Sequence, residues 1–139
     1  MKAFIDTNVL LDVLGERQPF YEDSAAVWSL AEQGKVEGLV SAVSFANVFY
    51  IMRRWGDVAA AREAVILLRD AFTAVACDAS VINRAIDSKM RDFEDAVQYF
   101  SALHAGADCI LSRNPGDFPR RPAVPVFSPT EFLAQLEMD

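Results

Sequence analysis

Asp6, Asp92, Glu94, Asp95 and Asp117 are the carboxylates whose surroundings suit chemistry. Asp6 ends a short apolar run, the middle three open an amphipathic segment, and Asp117 closes a polar loop behind a second apolar run. Acids brought together repel, so either one keeps a proton or a cation joins them. Cys77 and Cys109 lie in separate apolar, strand-like segments and read as buried free thiols; His104 stands alone, so no zinc set is offered. Hard oxygen ligands favour Mg2+ or Mn2+. Beside such an ion a water becomes acidic enough to attack a phosphodiester. The competing reading is structural. Asp92 with Asp95 three residues on fits a helix N-cap and its partner acid, and Asp6 or Thr7 suits the cap of a first helix. Capping leaves Glu94 unexplained, and with it the return of an acid after the next apolar run.

These acids need elements to bring them together. Lys2–Ile5 reads as a strand running into the polar elbow Asp6-Thr7-Asn8, and Val9, Leu10, Val13 and Leu14 continue at helical spacing. After a turn over Gly15–Pro19, about Phe20–Gln33 is a second helix, stopped by Gly34 and paired with the first as a hairpin. Gly38–Ser41 is the second strand. Ser44 is expected to cap a helix running to about Trp55, apolar over a wide face and closed by Arg53 and Arg54. Ala59–Phe72 is helical, Thr73–Cys77 a third strand, and Asp78 caps a short helix reaching Ser88.

Behind the acidic cluster, Phe93, Ala96, Val97, Phe100 and Leu103 recur at steps of three and four, with Gly106 as the stop. Cys109–Leu111 is a short buried strand, and Ser112–Asp117 is a loop at its carboxyl end. Val124–Phe127 reads as an edge strand, and Pro129 starts a last helix over Thr130–Leu136. Strands alternating with helices give an α/β fold with a mostly parallel sheet. Sites in such sheets lie at the carboxyl ends of the strands, where Asp6 and Asp117 both fall.

Three segments together, Met1–Asn8 (MKAFIDTN), Asp92–Ala105 (DFEDAVQYFSALHA) and Ala107–Phe118 (ADCILSRNPGDF), resemble the PIN-domain family of metal-dependent ribonucleases in order and spacing. The resemblance implies a three-layer α/β/α sandwich and a cleft of acids holding Mg2+ or Mn2+. It implies RNA as substrate. It also implies the toxin role of many compact members, with a cognate antitoxin as partner. Carried over by position, Asp6, Asp95 and Asp117 are the expected catalytic acids and metal ligands. Asp92 is a further candidate ligand. Thr7 or Asn8, and Ser112 or Asn114, match polar positions round the cleft, and all four are counted as candidate substrate-binding residues. One position departs: where the family usually places a Glu on the helix after the second strand, this chain has Asn47, which offers a carbonyl oxygen but no charge. Asn47 is therefore counted with the substrate-binding positions. The departure also motivates a second reading, a member of the same fold that binds RNA or a protein without cutting. A third class, a phosphotransferase using Asp6 as nucleophile, fits poorly because no second Asp follows two residues later.

With 139 residues the chain is expected to be a single domain, 1–139, large enough to bury roughly two thirds of its unfolded surface. The formal net charge of −7 excludes a protein held to nucleic acid by bulk charge alone, but not a nuclease whose metal reverses the local sign. Hydrophobic residues make up 53%, a surplus that suits an antitoxin interface or a homodimer, with the Ser44–Trp55 helix as the face. No run of 18 apolar residues appears, and Lys2 leads into only a short apolar stretch before Asp6, so a cytoplasmic protein with no membrane span is expected. Five of the six prolines lie from Pro115 to Pro129, around the extended basic loop Pro119-Arg120-Arg121-Pro122.

Overall fold

A computed structural model describes residues 1–138. Its elements run β1 (Lys2–Ile5), α1 (Thr7–Leu14), α2 (Tyr21–Glu32), β2 (Glu37–Ser41), α3 (Ala42–Trp55), α4 (Val58–Ala71), β3 (Thr73–Val75), α5 (Ala79–Asp87), α6 (Phe93–His104), β4 (Cys109–Leu111), β5 (Val126–Phe127) and α7 (Pro129–Met138), with a 3-10 turn over Pro115–Asp117. The five strands form one sheet in the order β3-β2-β1-β4-β5, and every neighbouring pair is parallel.

Strand residues alternate between the two faces, and each face has its own core. Ala3, Ile5, Val40, Cys109 and Leu111 look toward α1, α2, α3, α4 and α7, packing with Leu10, Trp28, Val48, Leu68 and Phe132. Phe4, Leu39 and Ile110 look the other way, onto Tyr99 and Ala102 of α6. α5 closes that side through Val81 and Ala85, which meet Ala96 and Val97. The result is the expected α/β/α sandwich. β1 sits at its centre because its apolar residues are buried on both faces.

Two glycines are required by geometry. Gly106 has φ +71 and turns the chain out of α6 in the left-handed region. Gly38 lies against the Phe72 ring, where a methyl group would collide. Three local expectations change. α3 begins at Ala42, and its cap is Ser41, whose side chain accepts from the Val43 N–H at 3.3 Å; Ser44 is free for another role. Cys77 lies beyond β3, half-buried and not in a strand. The last strand is only Val126–Phe127, at the sheet edge as its prolines predict. No helix among the described residues is long and apolar enough to cross a membrane.

Candidate active site

β1 and β4 are neighbours, with Ile5 opposite Leu111, so the residues that follow each strand meet. The Asp6 N–H bonds the Leu111 carbonyl at 2.9 Å, extending the ladder one step past β1. Asp6 itself has extended backbone angles and its side chain does not cap α1. Instead its Oδ2 accepts from Ser112 Oγ at 2.8 Å. Asp6 is only 4% exposed. Burial raises its pKa from 3.8 to about 6, opposed by the Ser112 hydroxyl and the Thr7 and Asn8 backbone N–H groups, with the charge of Glu94 adding to the rise.

Asp95 stands in the first turn of α6, half-buried. Its pKa is pushed to about 7, first by burial and then by the charges of Asp6, Asp92, Asp117 and Glu94. That list of neighbours spans most of the chain: the fold brings the head of α6 into the field of the acids behind β1 and β4. Asp92 is the N-cap of α6, its Oδ1 accepting from the Asp95 N–H at 2.9 Å, so the capping reading holds for Asp92 while Asp95 faces the other acids. Asp117 is exposed at the end of the 3-10 turn, its N–H held by the Asn114 carbonyl at 3.0 Å.

The polar positions divide by what they touch. Asn8 is a clamp: its Oδ1 accepts from the Arg113 N–H at 3.1 Å and its Nδ2 reaches Ser112 Oγ at 3.3 Å. Ser112 also receives the Asn114 N–H at 3.2 Å, while the Asn114 side chain stays in an exposed residue. Thr7 points inward. Its Oγ1 lies 2.8 Å from Ser44 Oγ, and Ser44 is bonded by Gln98 Nε2 at 3.1 Å. This buried chain joins α1, α3 and α6 beneath the acids. Asn47, half-buried one turn along α3 from Ser44, takes no part in it.

Two functional partners escape a reading of the sequence. Gln98 is completely buried and lies one turn along α6 from Asp95; its only signal is an amide in the middle of an apolar helix face. Asp12 is also completely buried and its Oδ1 lies 3.1 Å from Arg113 Nη1. Burial raises the Asp12 pKa, countered by Arg113 and then Arg17. The Arg113 guanidinium also lies 4.7 Å from the centre of the Phe20 ring. Arg113 thus anchors the loop after β4 to α1 and α2, and with it Ser112.

The donor set is carboxylate and hydroxyl oxygen, which suits a hard divalent ion. Among the described residues no three acidic, histidine or cysteine side chains are arranged to grip one ion directly. The arrangement fits an ion held by one or two carboxylates and otherwise by water, which is how Mg2+ is usually bound. The raised proton affinity of Asp6 and Asp95 comes first from burial and then from neighbouring carboxylates, and a bound cation would relieve both.

The sequence profile described as PIN domain matches residues 2–115. No curated protein matches the chain. Among solved structures, the DNA-bound VapBC of Salmonella typhimurium is similar over 93% of this chain and 98% of that one, with TM-score 0.70 and 14% identity. VapBC-1 of nontypeable Haemophilus influenzae gives TM-score 0.69 at 14% identity, over 94% of this chain and 99% of that one. VapC20 of Mycobacterium tuberculosis, a sarcin-ricin loop cleaving toxin, gives 0.62 at 15% identity, over 78% and 86%. At such identities the likeness is one of fold.

Proposed function

This chain belongs to the PIN domain family, and from that premise we propose that it is a divalent-metal-dependent endoribonuclease and the toxin of a toxin–antitoxin pair. The observation that carries the reading is Asp95: a half-buried carboxyl, one turn from a buried hydrogen-bond chain, lying in the field of four other acids. An acid cluster built only to cap helices has no reason to place Asp6 in the interior.

Asp6, Asp95 and Asp117 would hold the ion, one or two of them directly and the rest through water, and Asp92 would offer an oxygen at the rim. A bound Mg2+ or Mn2+ supplies the charge that acidifies a water and stabilises the leaving oxygen. Ser112 fixes the Asp6 carboxylate. Asp95, or one of its neighbours, would also orient the attacking water and take its proton. Asn8, Ser112 and Asn114 form the polar wall against which phosphate and sugar rest, and Thr7 positions that wall from below. Asn47 adds a neutral oxygen where a Glu would add charge.

An antitoxin has a surface to meet. A groove of about 420 Å3 between α1, α2 and α4 is lined by Val13, Leu14, Tyr21, Trp28 and Leu67 and rimmed by Glu16 and Glu32, which suits an apolar segment carrying basic residues. Tyr50, Trp55, Val58 and Ile66 add exposed apolar area on α3 and α4, suited to a second copy of the chain. Activity is placed in the cytoplasm, where RNA and antitoxin both occur.

One observation favours a weaker enzyme: Asn47 is neutral and stands outside the hydrogen-bond network. The test is cleavage of a mixed RNA pool with Mg2+, Mn2+ or EDTA by wild type, Asp6→Asn and Asn47→Glu. Metal-dependent cutting lost in Asp6→Asn supports the nuclease. Cutting by Asn47→Glu alone marks a nuclease fold short of one ligand. Silence in all three ends the nuclease reading.

A further inference from the structure

A second groove opens beside the acids, on the α6 side of the sheet. It encloses about 450 Å3 and is lined by Lys89, Arg91, Phe100, Asp117 and Arg120 among others. The chain carries 13 basic residues against 20 acidic ones, so three cations round one groove are a concentration of charge against the overall sign. Both banks are built. On one, the Ser88 hydroxyl bonds the Ala85 carbonyl at 2.8 Å and receives the Met90 N–H at 3.4 Å, shaping the segment that carries Lys89 and Arg91. On the other, Phe118 is buried against Tyr99, and the Tyr99 hydroxyl accepts from the Ala123 N–H at 2.8 Å, pinning the loop that carries Arg120. The floor includes Phe100, half-buried, whose ring lies 4.8 Å from the Arg84 guanidinium carbon.

We infer that this groove is the track of a single-stranded RNA segment leading away from the phosphate at Asp117, with Lys89, Arg91 and Arg120 on its backbone and a base against Phe100. The inference rests on the nuclease reading and names which side of the cleft the strand occupies. Cations round a groove suit successive phosphates, and the part of the Phe100 ring that lines the groove, held from behind by Arg84, suits an unpaired base. Paired bases are turned away from such a surface, so a duplex gains only the charge. Asp117 is the one acid in the lining, and it is where the strand meets the proposed ion.

The experiment is binding of a labelled single-stranded oligoribonucleotide in EDTA, where nothing is cut, by wild type, by Lys89→Ser/Arg91→Ser/Arg120→Ser, and by Phe100→Leu. The triple variant is expected to bind at least about tenfold more weakly at low salt, and to lose about 2 from the slope of log affinity against log salt. Phe100→Leu is expected to lose about tenfold with the slope unchanged. Stabilisation by Mn2+ should persist in both, which shows the fold and acid site intact. Wild-type affinity and slope in the triple variant overturn the inference. So does equal binding of a duplex of the same sequence, or displacement of the strand by poly-glutamate at equal charge concentration, which would mark an acidic protein as the occupant. Because binding is read without metal, loss of the nuclease reading leaves these results standing, and a failed groove leaves cleavage untouched.

Discussion

Ser112 Oγ donates to Asp6 Oδ2 at 2.8 Å across 106 residues of sequence. This bond holds a buried carboxylate in one orientation and supplies part of the stabilisation that keeps it ionisable. Ser112→Ala removes the donor, the hold on Asn8 and the acceptor for the Asn114 N–H together. Loss of a partner that orients a metal-ligating group typically costs about 10- to 100-fold in affinity or activity. Titration of Mn2+ against melting temperature should show that loss, with the metal-free fold little changed.

Asp95→Asn is expected to separate activity from stability. The amide removes a charge that Asp6, Asp92, Asp117 and Glu94 all repel, so the metal-free protein should melt higher than wild type. Cutting should vanish, and Mn2+ should stabilise the variant far less. A variant that melts lower without metal, or cuts like wild type at matched metal, contradicts the acid cluster as described.

Burial of these carboxyls, with their mutual repulsion added to it, sets a pH dependence. Asp6 and Asp95 are raised from 3.8 to about 6 and about 7, so above about pH 4 the folded metal-free chain binds more protons than the unfolded one. Its stability therefore falls as pH rises through about 6 and 7, with the protonated site the more stable. Metal must displace those protons, so the affinity for Mn2+ should climb over the same interval. Urea unfolding with and without Mn2+ across this range checks both signs; a metal-free stability that rises with pH refutes the first.

Arg113→Ala leaves Asp12 buried with neither oxygen paired, since its Oδ2 already has no partner among the described residues. Breaking a buried ion pair from one side costs about 3–5 kcal/mol, and the partial exposure of Arg113 points to the lower end. Urea unfolding should show a loss near 3 kcal/mol, partly restored by Asp12→Asn in the same chain. The double variant should cut RNA poorly even where it is stable, because the loop holding Ser112 has lost its anchor.

Much of this architecture is legible in the sequence because it is periodic. The apolar strands, the helical spacing behind Asp95 and the turns at Gly34 and Gly106 each announce themselves within a few residues. The parallel sheet follows from alternation, and observed pairing of β1 with β4 is what brings Asp6 and Ser112 together. What stayed hidden is non-local or ambiguous. Ser41 and Ser44 are both able caps three residues apart, and only packing assigns one to the helix and the other to Gln98. Gln98 looks like an interruption in an apolar face until the hydroxyls of Ser44 and Thr7 are placed beside it. Asp12 and Arg113 lie 101 residues apart, with nothing in either neighbourhood to announce the pair.

β1 lies in the middle of the sheet, and its carboxyl end is completed by residues that follow β4. On the ribosome the order of events is then constrained. At about 5–20 residues per second, the 106 residues between Asp6 and Ser112 take roughly 5–20 s to synthesise. For that interval Asp6 exists without its hydroxyl partner, without Asp95 for most of it, and without the groove that Asp117 opens. A nuclease built on this site would therefore stay incomplete in the nascent chain until Ser112 and Asp117 have both been added.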